Sequence, residues 1–243
     1  MMPFGLKKLC WFVILCFLIW KPSTLFAQSA SQITEDSLIE RLLEKANEVE
    51  HNKPDSAIIF ATQALEIAQK NERKESEAEA FFEIGRGHMG KGEWSLAHES
   101  FLKSKAVYQS LGDSLKLADV YNQMGYSHQA LRQFDKAFSC LLIALRLRKK
   151  FNAEPRLIAS SEGGIGFIYQ NTGELEKAEE HHLRALKIRE NMKNPPSLGI
   201  GFSMKNLGIV YFKKKEYETA LIYFESALDT FYKENKKPFI RIG

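Results

Sequence analysis

Leu207-Gly208-Ile209-Val210-Tyr211, followed by Ala220, Phe224 and Ala227, is the stretch whose spacing decides the fold. The last three residues, with Leu228, recur at helical intervals, and strand-like alternation is absent. The same spacing lies upstream. Gly85, Gly125, Gly166 and Gly208 each follow an apolar residue (Ile84, Met124, Ile165, Leu207), and the steps between them are 40, 41 and 42. A fixed step near forty marks stacked units. Nine residues after each glycine stands Trp94, Phe134, Leu175 or Tyr217, and twelve after it Ala97, Ala137, Ala178 or Ala220. Four further on come Phe101, Leu141, His182 and Phe224, and three beyond those Ser104, Ala144, Ala185 and Ala227. One step back, Ala57, Ala61 and Ala64 fill the last three columns, giving a fifth unit that begins near Ser37, with Lys45 at the glycine position.

Each unit reads as two helices. The joints carry turn chemistry in Lys53-Pro54-Asp55, Gly90-Lys91-Gly92 and Thr172-Gly173. Two helices approach closely only where no bulky side chain separates them, which explains small residues in the glycine and alanine columns. Ser37 followed by Glu40 makes a capping box, so the ordered array is expected to begin there.

These residues resemble the tetratricopeptide repeats. Leu207-Gly208-Ile209-Val210-Tyr211 with Ala220, Phe224 and Ala227 matches that repeat's pattern nearly in full, and Ile165-Gly166-Phe167-Ile168-Tyr169 with Ala178 and Ala185 follows closely. His88 and His128 replace the tyrosine in the other two glycine-bearing units. The step exceeds the family's usual period of about 34, as in the longer variants of bacterial signalling proteins and kinesin light chains. The resemblance covers about residues 37–230 and implies an all-α fold, a right-handed α-solenoid of about five helix-turn-helix repeats. It does not imply a particular function, because the fold only supplies a surface.

In the family the stripe one position round from the glycine faces the hollow of the superhelix. Here it reads Leu42, Ala46, Val49; Phe82, Arg86, Met89; Asn122, Tyr126, Gln129; Gly163, Phe167, Gln170; and Lys205, Ile209, Phe212. Apolar and aromatic residues interspersed with amides and cations suit an extended peptide or a partner helix: the amides hold its backbone, and Arg86 and Lys205 hold an acidic group. Part of the stripe is expected to pack between neighbouring first helices instead.

The N-terminus reads as an address. Lys7 and Lys8 precede a 12-residue apolar run, Leu9 to Trp20, followed by Lys21-Pro22 and Ser23-Thr24-Leu25-Phe26-Ala27, the pattern of a secretory signal peptide. As a helix the run would rise roughly 18 Å, short of the ~30 Å hydrocarbon core. Cleavage is expected after Ala27, or else after Ala30, leaving no membrane span and an exported chain, periplasmic or secreted. The expected organisation is a leader at 1–27, a linker at 28–36, the array at 37–230 and a tail at 231–243.

Composition agrees with a packed globular protein: 44% of the 243 residues are hydrophobic and 26% charged. Without Lys7, Lys8 and Lys21 the 34 basic residues fall to 31 against 30 acidic ones, so no electrostatic case exists for nucleic acid. Two of the 3 cysteines, Cys10 and Cys16, lie in the leader, so Cys140 has no partner for an internal disulfide.

Several chemical motifs dissolve in context. Gly85-Arg86-Gly87-His88-Met89-Gly90-Lys91-Gly92 satisfies two phosphate-loop patterns, yet no strand precedes it and every residue of it aligns with the other units. His181 and His182 are adjacent, so on a helix they point about 100° apart and do not share a metal. His182 is expected in the core with a hydrogen-bond partner, and Glu176, Glu179 and Glu180 with Lys177 on a solvated face. No nucleophile, base and oxyanion-donor set can be assembled, so no catalysis, cofactor or metal is expected.

After Leu228 the sequence reaches Gly243 before another first helix can form. The final helix would leave Leu221, Tyr223, Phe224 and Leu228 partly uncovered, which opens fraying, self-association through that face, or a piece of a longer protein. The expectation is an exported, non-enzymatic module binding a protein or peptide partner. The alternative is the sensory fragment of a truncated signal-transduction receptor, of histidine-kinase or DNA-binding-regulator type; a polymerising structural protein stands third.

Overall fold

The computed structural model describes residues 35–235. The expected leader, most of the linker and the end of the tail lie outside the described residues. Within them every element is helical: α1 (35–49), α2 (Pro54–Lys70), α3 (Lys74–Gly90), α4 (Trp94–Leu111), α5 (Ser114–Ala130), α6 (Phe134–Lys150), α7 (Pro155–Thr172), α8 (Leu175–Glu190), α9 (Ser197–Lys213) and α10 (Tyr217–Asn235). They form five consecutive pairs. From α2 onward each helix packs on its sequence neighbours, and the further contacts join only first helices of adjacent pairs: α3 with α5, α5 with α7 and α7 with α9. The molecule is therefore an α-solenoid whose first helices crowd together on the inner side, with the second helices outside.

The glycine column is what brings the two helices of a pair together. A Cβ on Gly85 would stand 2.5 Å from Phe101, on Gly125 2.6 Å from Leu141, on Gly166 2.8 Å from His182 and on Gly208 2.7 Å from Phe224. The residue sixteen positions later thus lies flat on each glycine. The alanine columns seal the rest: Ala97, Ala137, Ala178, Ala144 and Ala185 are all fully buried, as are Ala57, Ala61 and Ala64. A second layer follows the same rule two turns away, where the ring of Phe231 covers Gly201 at 2.6 Å. Ala78, Ala118 and Ala159, seven residues before the other glycines, are likewise fully buried.

The turns repeat as closely as the packing. Within the pairs, Glu93, Gln133, Glu174 and Glu216 each donate their backbone N–H five residues back, to the carbonyls of His88, His128, Tyr169 and Tyr211, all at 2.9 Å. The residue before each donor is left-handed: Gly92 (φ 75°), Arg132 (58°), Gly173 (89°) and Lys215 (65°). This is the Schellman closure of a helix C-terminus. The same closure ends α2, α4 and α6, with Glu72, Gly112 and Asn152 left-handed. Asp113 then caps α5, accepting from the amides of Leu115 and Lys116 at 3.1 and 2.9 Å.

Unit one departs from the expected alignment. Lys45 is exposed, and Ala46 is the fully buried small residue, with Ile39 seven positions before it. The cause is a joint one residue shorter: Lys53 donates four residues back to the Val49 carbonyl at 2.7 Å, and no left-handed residue is inserted. Ser37 lies inside α1 rather than at its cap, because the start of that helix is tied to the connector after α2. Arg73 donates to both carboxylate oxygens of Asp36 at 2.8 and 2.7 Å, and Asn71 donates to Glu35 at 2.6 Å. At the other end α10 continues to Asn235.

Candidate functional site

The inner faces of α3, α5, α7 and α9 wall a groove containing two adjoining cavities. The larger, about 610 Å³, is lined by Phe82 and Arg86 of α3, Asp119, Asn122, Gln123 and Tyr126 of α5, Arg156, Leu157 and Ser160 of α7, and the start of α9 at Pro196 and Gly199. The smaller recess, about 200 Å³, is lined by Tyr126, Gln129, Ser160, Gly163, Gly164, Phe167, Phe202, Ser203 and Asn206. Tyr126, Ser160 and Arg189 border both.

Phe82, Arg86, Asn122, Tyr126, Gln129 and Phe167, read from the sequence as groove residues, come together in these walls. Most are already engaged by other residues of the chain. Arg86 pairs with Glu50 and with Glu83 at 3.0 Å, and donates to Asn47 at 2.8 Å, so its charge is met within the chain. Burial, reinforced by Glu79, pushes the Glu83 carboxyl up to about 8, with Lys116 working in the opposite direction. The Tyr126 hydroxyl shares a 2.8 Å hydrogen bond with the Ser160 hydroxyl, and Gln129 donates to the Gly164 carbonyl at 2.8 Å.

Met89 packs instead on the α3–α5 core, and Gln170 is buried, its backbone carbonyl accepting from Lys213 at 2.7 Å. Lys205, Ile209 and Phe212 lie outside both cavities; Lys205 sits 5.1 Å over the Phe202 ring and Phe212 meets Tyr217 edge-on. On α9 the lining stripe is Gly199, Phe202, Ser203 and Asn206, the side turned toward α7. In unit one, Ala46 is fully buried and Asn47 lines the cavity, the same one-residue shift that displaced Lys45.

Two guanidinium groups enter the groove from the outer layer. Arg148 of α6 and Arg189 of α8 each stand 23 residues after their unit's glycine, in the column that holds Tyr108 and Phe231 elsewhere. Arg148 is 3% exposed and donates to Asn122 (2.9 Å), Ser161 (2.8 Å), the Leu157 carbonyl (2.8 Å) and Asp119 (2.7 Å). Arg189 donates to the Ser203 hydroxyl and, at 3.4 Å, to the Ala159 carbonyl. Burial lowers its pKa, and no carboxylate lies within ion-pair distance among the described residues. Gln123 and Asn206 add amides without a hydrogen-bond partner among the described residues.

His182 and His181 are packed or paired within the chain. His182 is 1% exposed on Gly166, and burial, then His181 and Arg189, lower its pKa to about 4. Its Nε2 is buried without the hydrogen-bond partner expected from the sequence. His181 is held at 2.7 Å by Glu162, whose carboxyl stays below its usual range despite burial because His181 and Lys149 donate to it. Glu179 is not wholly solvated: Tyr211 and Lys214 reach it at 2.7 and 2.8 Å. Among the described residues no cluster of metal-binding side chains forms, and no helix is long and apolar enough to cross a membrane.

Helix pairs nested in order around a polar inner groove define a repeat scaffold. The chain carries tetratricopeptide repeats: sequence models of that repeat match residues 118–151 and 157–233. It is 27% identical over 123 residues to the protein ycf37 of Guillardia theta, covering 51% of this chain and 65% of that one. It is 34% identical over 92 residues to response regulator aspartate phosphatase I of Bacillus subtilis, covering 38% and 22%. The matched part spans less than two thirds of either relative's length. Solved structures share the fold: apo RapI (TM-score 0.69, 21% identity, 82% of this chain and 72% of that one), BtubC from P. vanneervenii (0.62, 17%, 84% and 93%) and pilF of Pseudomonas aeruginosa (0.62, 18%, 81% and 78%).

Proposed function

We propose that the chain is a non-enzymatic interaction module that holds an extended polypeptide segment of a protein partner in its inner groove. The observation that supports this most is the continuity of the two cavities along four first helices, with aromatic rings beside unengaged amides. Phe167 and Phe202, 38% and 51% exposed, offer apolar surface, while Gln123 and Asn206 can pair with a passing backbone. Replacing Gln123, Phe167, Phe202 and Asn206 together by alanine tests it. Peptide binding should fall at least about tenfold with the far-ultraviolet circular dichroism unchanged, and unchanged binding contradicts the groove.

The leader sequence supports export, checked by N-terminal sequencing of the protein recovered outside the cytoplasm: a mature start at Gln28 is expected. The relative named for a response regulator supports the alternative, a sensory portion of a signalling protein. Self-association through α10 is supported by the exposure of Leu221 and Leu228, 57% and 68%, and is contradicted if the chain sediments as a monomer at high concentration.

A further inference from the structure

Resting on the groove reading above, we propose that Arg189 is a specificity residue that receives an acidic side chain from within the bound segment. The other groove arginines identify it by contrast. Arg86 has Glu50, Arg148 has Asp119, and Arg156 has Glu154 at 3.8 Å. Arg189 alone among the groove arginines has only neutral partners, a serine hydroxyl and a backbone carbonyl. A partly buried guanidinium is costly to keep without an anion.

The chain makes room for it. The Arg189 stem lies over Gly199, where a Cβ would stand 3.1 Å from both Cδ and Nε, and a Cβ on Gly163 would meet Nη2 at 4.0 Å, in ordinary contact. A Cβ at position 199 would crowd the stem, which would have to give by a few tenths of an ångström. The recess also contains His182, 1% exposed, whose Nε2 is buried without a partner and can supply a second donor in its Nε2–H tautomer.

Position in the groove selects the source of the carboxylate. Arg189 borders both cavities, so it stands where the groove continues on either side rather than at an end. A side chain of a segment passing through reaches it there, with its methylenes between Phe167 and Phe202, whereas a terminal carboxylate would leave one cavity empty.

The test is a display library of random twelve-residue segments, fused at both ends, panned on the full chain. Selected sequences should share Asp or Glu at one position. Synthetic pairs with Glu or Gln there, acetylated and amidated, should differ about tenfold or more in affinity. That ratio should fall below about twofold on Arg189→Gln and persist on Arg189→Lys, circular dichroism confirming that each variant folds. The Glu-to-Gln ratio on the unaltered chain stands even if Arg189→Gln does not fold. Selection without an acidic position, or a ratio unchanged by Arg189→Gln, overturns the assignment while leaving groove binding intact. A parallel library with free C-termini separates the sources: selection from that library alone overturns the assignment in favour of a terminal carboxylate, and recovery of no segment from either library overturns the groove reading itself.

Discussion

Above Gly166 the imidazole of His182 fills the place that Phe101 and Phe224 fill above Gly85 and Gly208. Its folded pKa is lowered to about 4 by burial, against about 6.5 in an unfolded chain. The folded state therefore binds fewer protons, so this contribution is complete above about pH 6.5 and is lost as pH falls toward 4. His182→Phe should flatten that acid limb, worth at most about 3 kcal/mol, in urea titrations at pH 7 and pH 4.5. An unchanged acid limb would show that the imidazole charges freely in the folded state. Gly125 gives the opposite sign. Helix propensity alone favours alanine by about 1 kcal/mol, but a Cβ there would stand 2.6 Å from Leu141 Cγ and 2.9 Å from its Cδ2. Overpacking of this kind costs about 1–3 kcal/mol, so Gly125→Ala should be net destabilising in chemical denaturation.

At the scale of elements, each Schellman turn demands a left-handed residue, and the sequence supplies glycine at only some of them. Arg132 sits there at φ 58°, a strain of roughly 1–2 kcal/mol, partly offset by its position over Phe134, worth about 0.5 kcal/mol. Arg132→Gly should thus stabilise by about 1 kcal/mol in the same titration. These turns also mark what could be read in advance. The glycine and alanine columns were legible because close helix contact admits few residue types. Left-handed Glu72, Arg132 and Lys215 were not, since nothing in their chemistry announces the conformation; Asn152 is the one of the four whose residue type favours it. Lys45 was misplaced because one residue fewer in the first joint leaves no trace in the columns of α2. The arginines of α6 and α8 were missed for a different reason. Their column runs Ala68, Tyr108, Arg148, Arg189, Phe231, chemically unlike throughout; only their common distance of 23 residues from a glycine points to them. The candidate groove was half legible, because periodicity fixes a stripe without telling which neighbour it faces.

For the whole molecule, a stack of units makes burial depend on having a neighbour on both sides. Leu145 and Leu186 are 6% and 7% exposed, yet Leu228, in the same column of α10, is 68% exposed. Leu145→Ala should cost about 2–5 kcal/mol, and Leu228→Ala well under 1 kcal/mol, as measured by thermal unfolding; equal losses would mean that something covers α10. The same order of neighbours creates the groove, since first helices that touch in sequence leave one continuous inner surface. Its function is tested most directly by placing a photo-crosslinking amino acid either at Phe167, inside the recess, or at Leu183 on the outer helix α8, and exposing each protein to a peptide selected for binding. Crosslinks from position 167 and not from 183 are predicted; crosslinks from 183 with none from 167 would contradict the account.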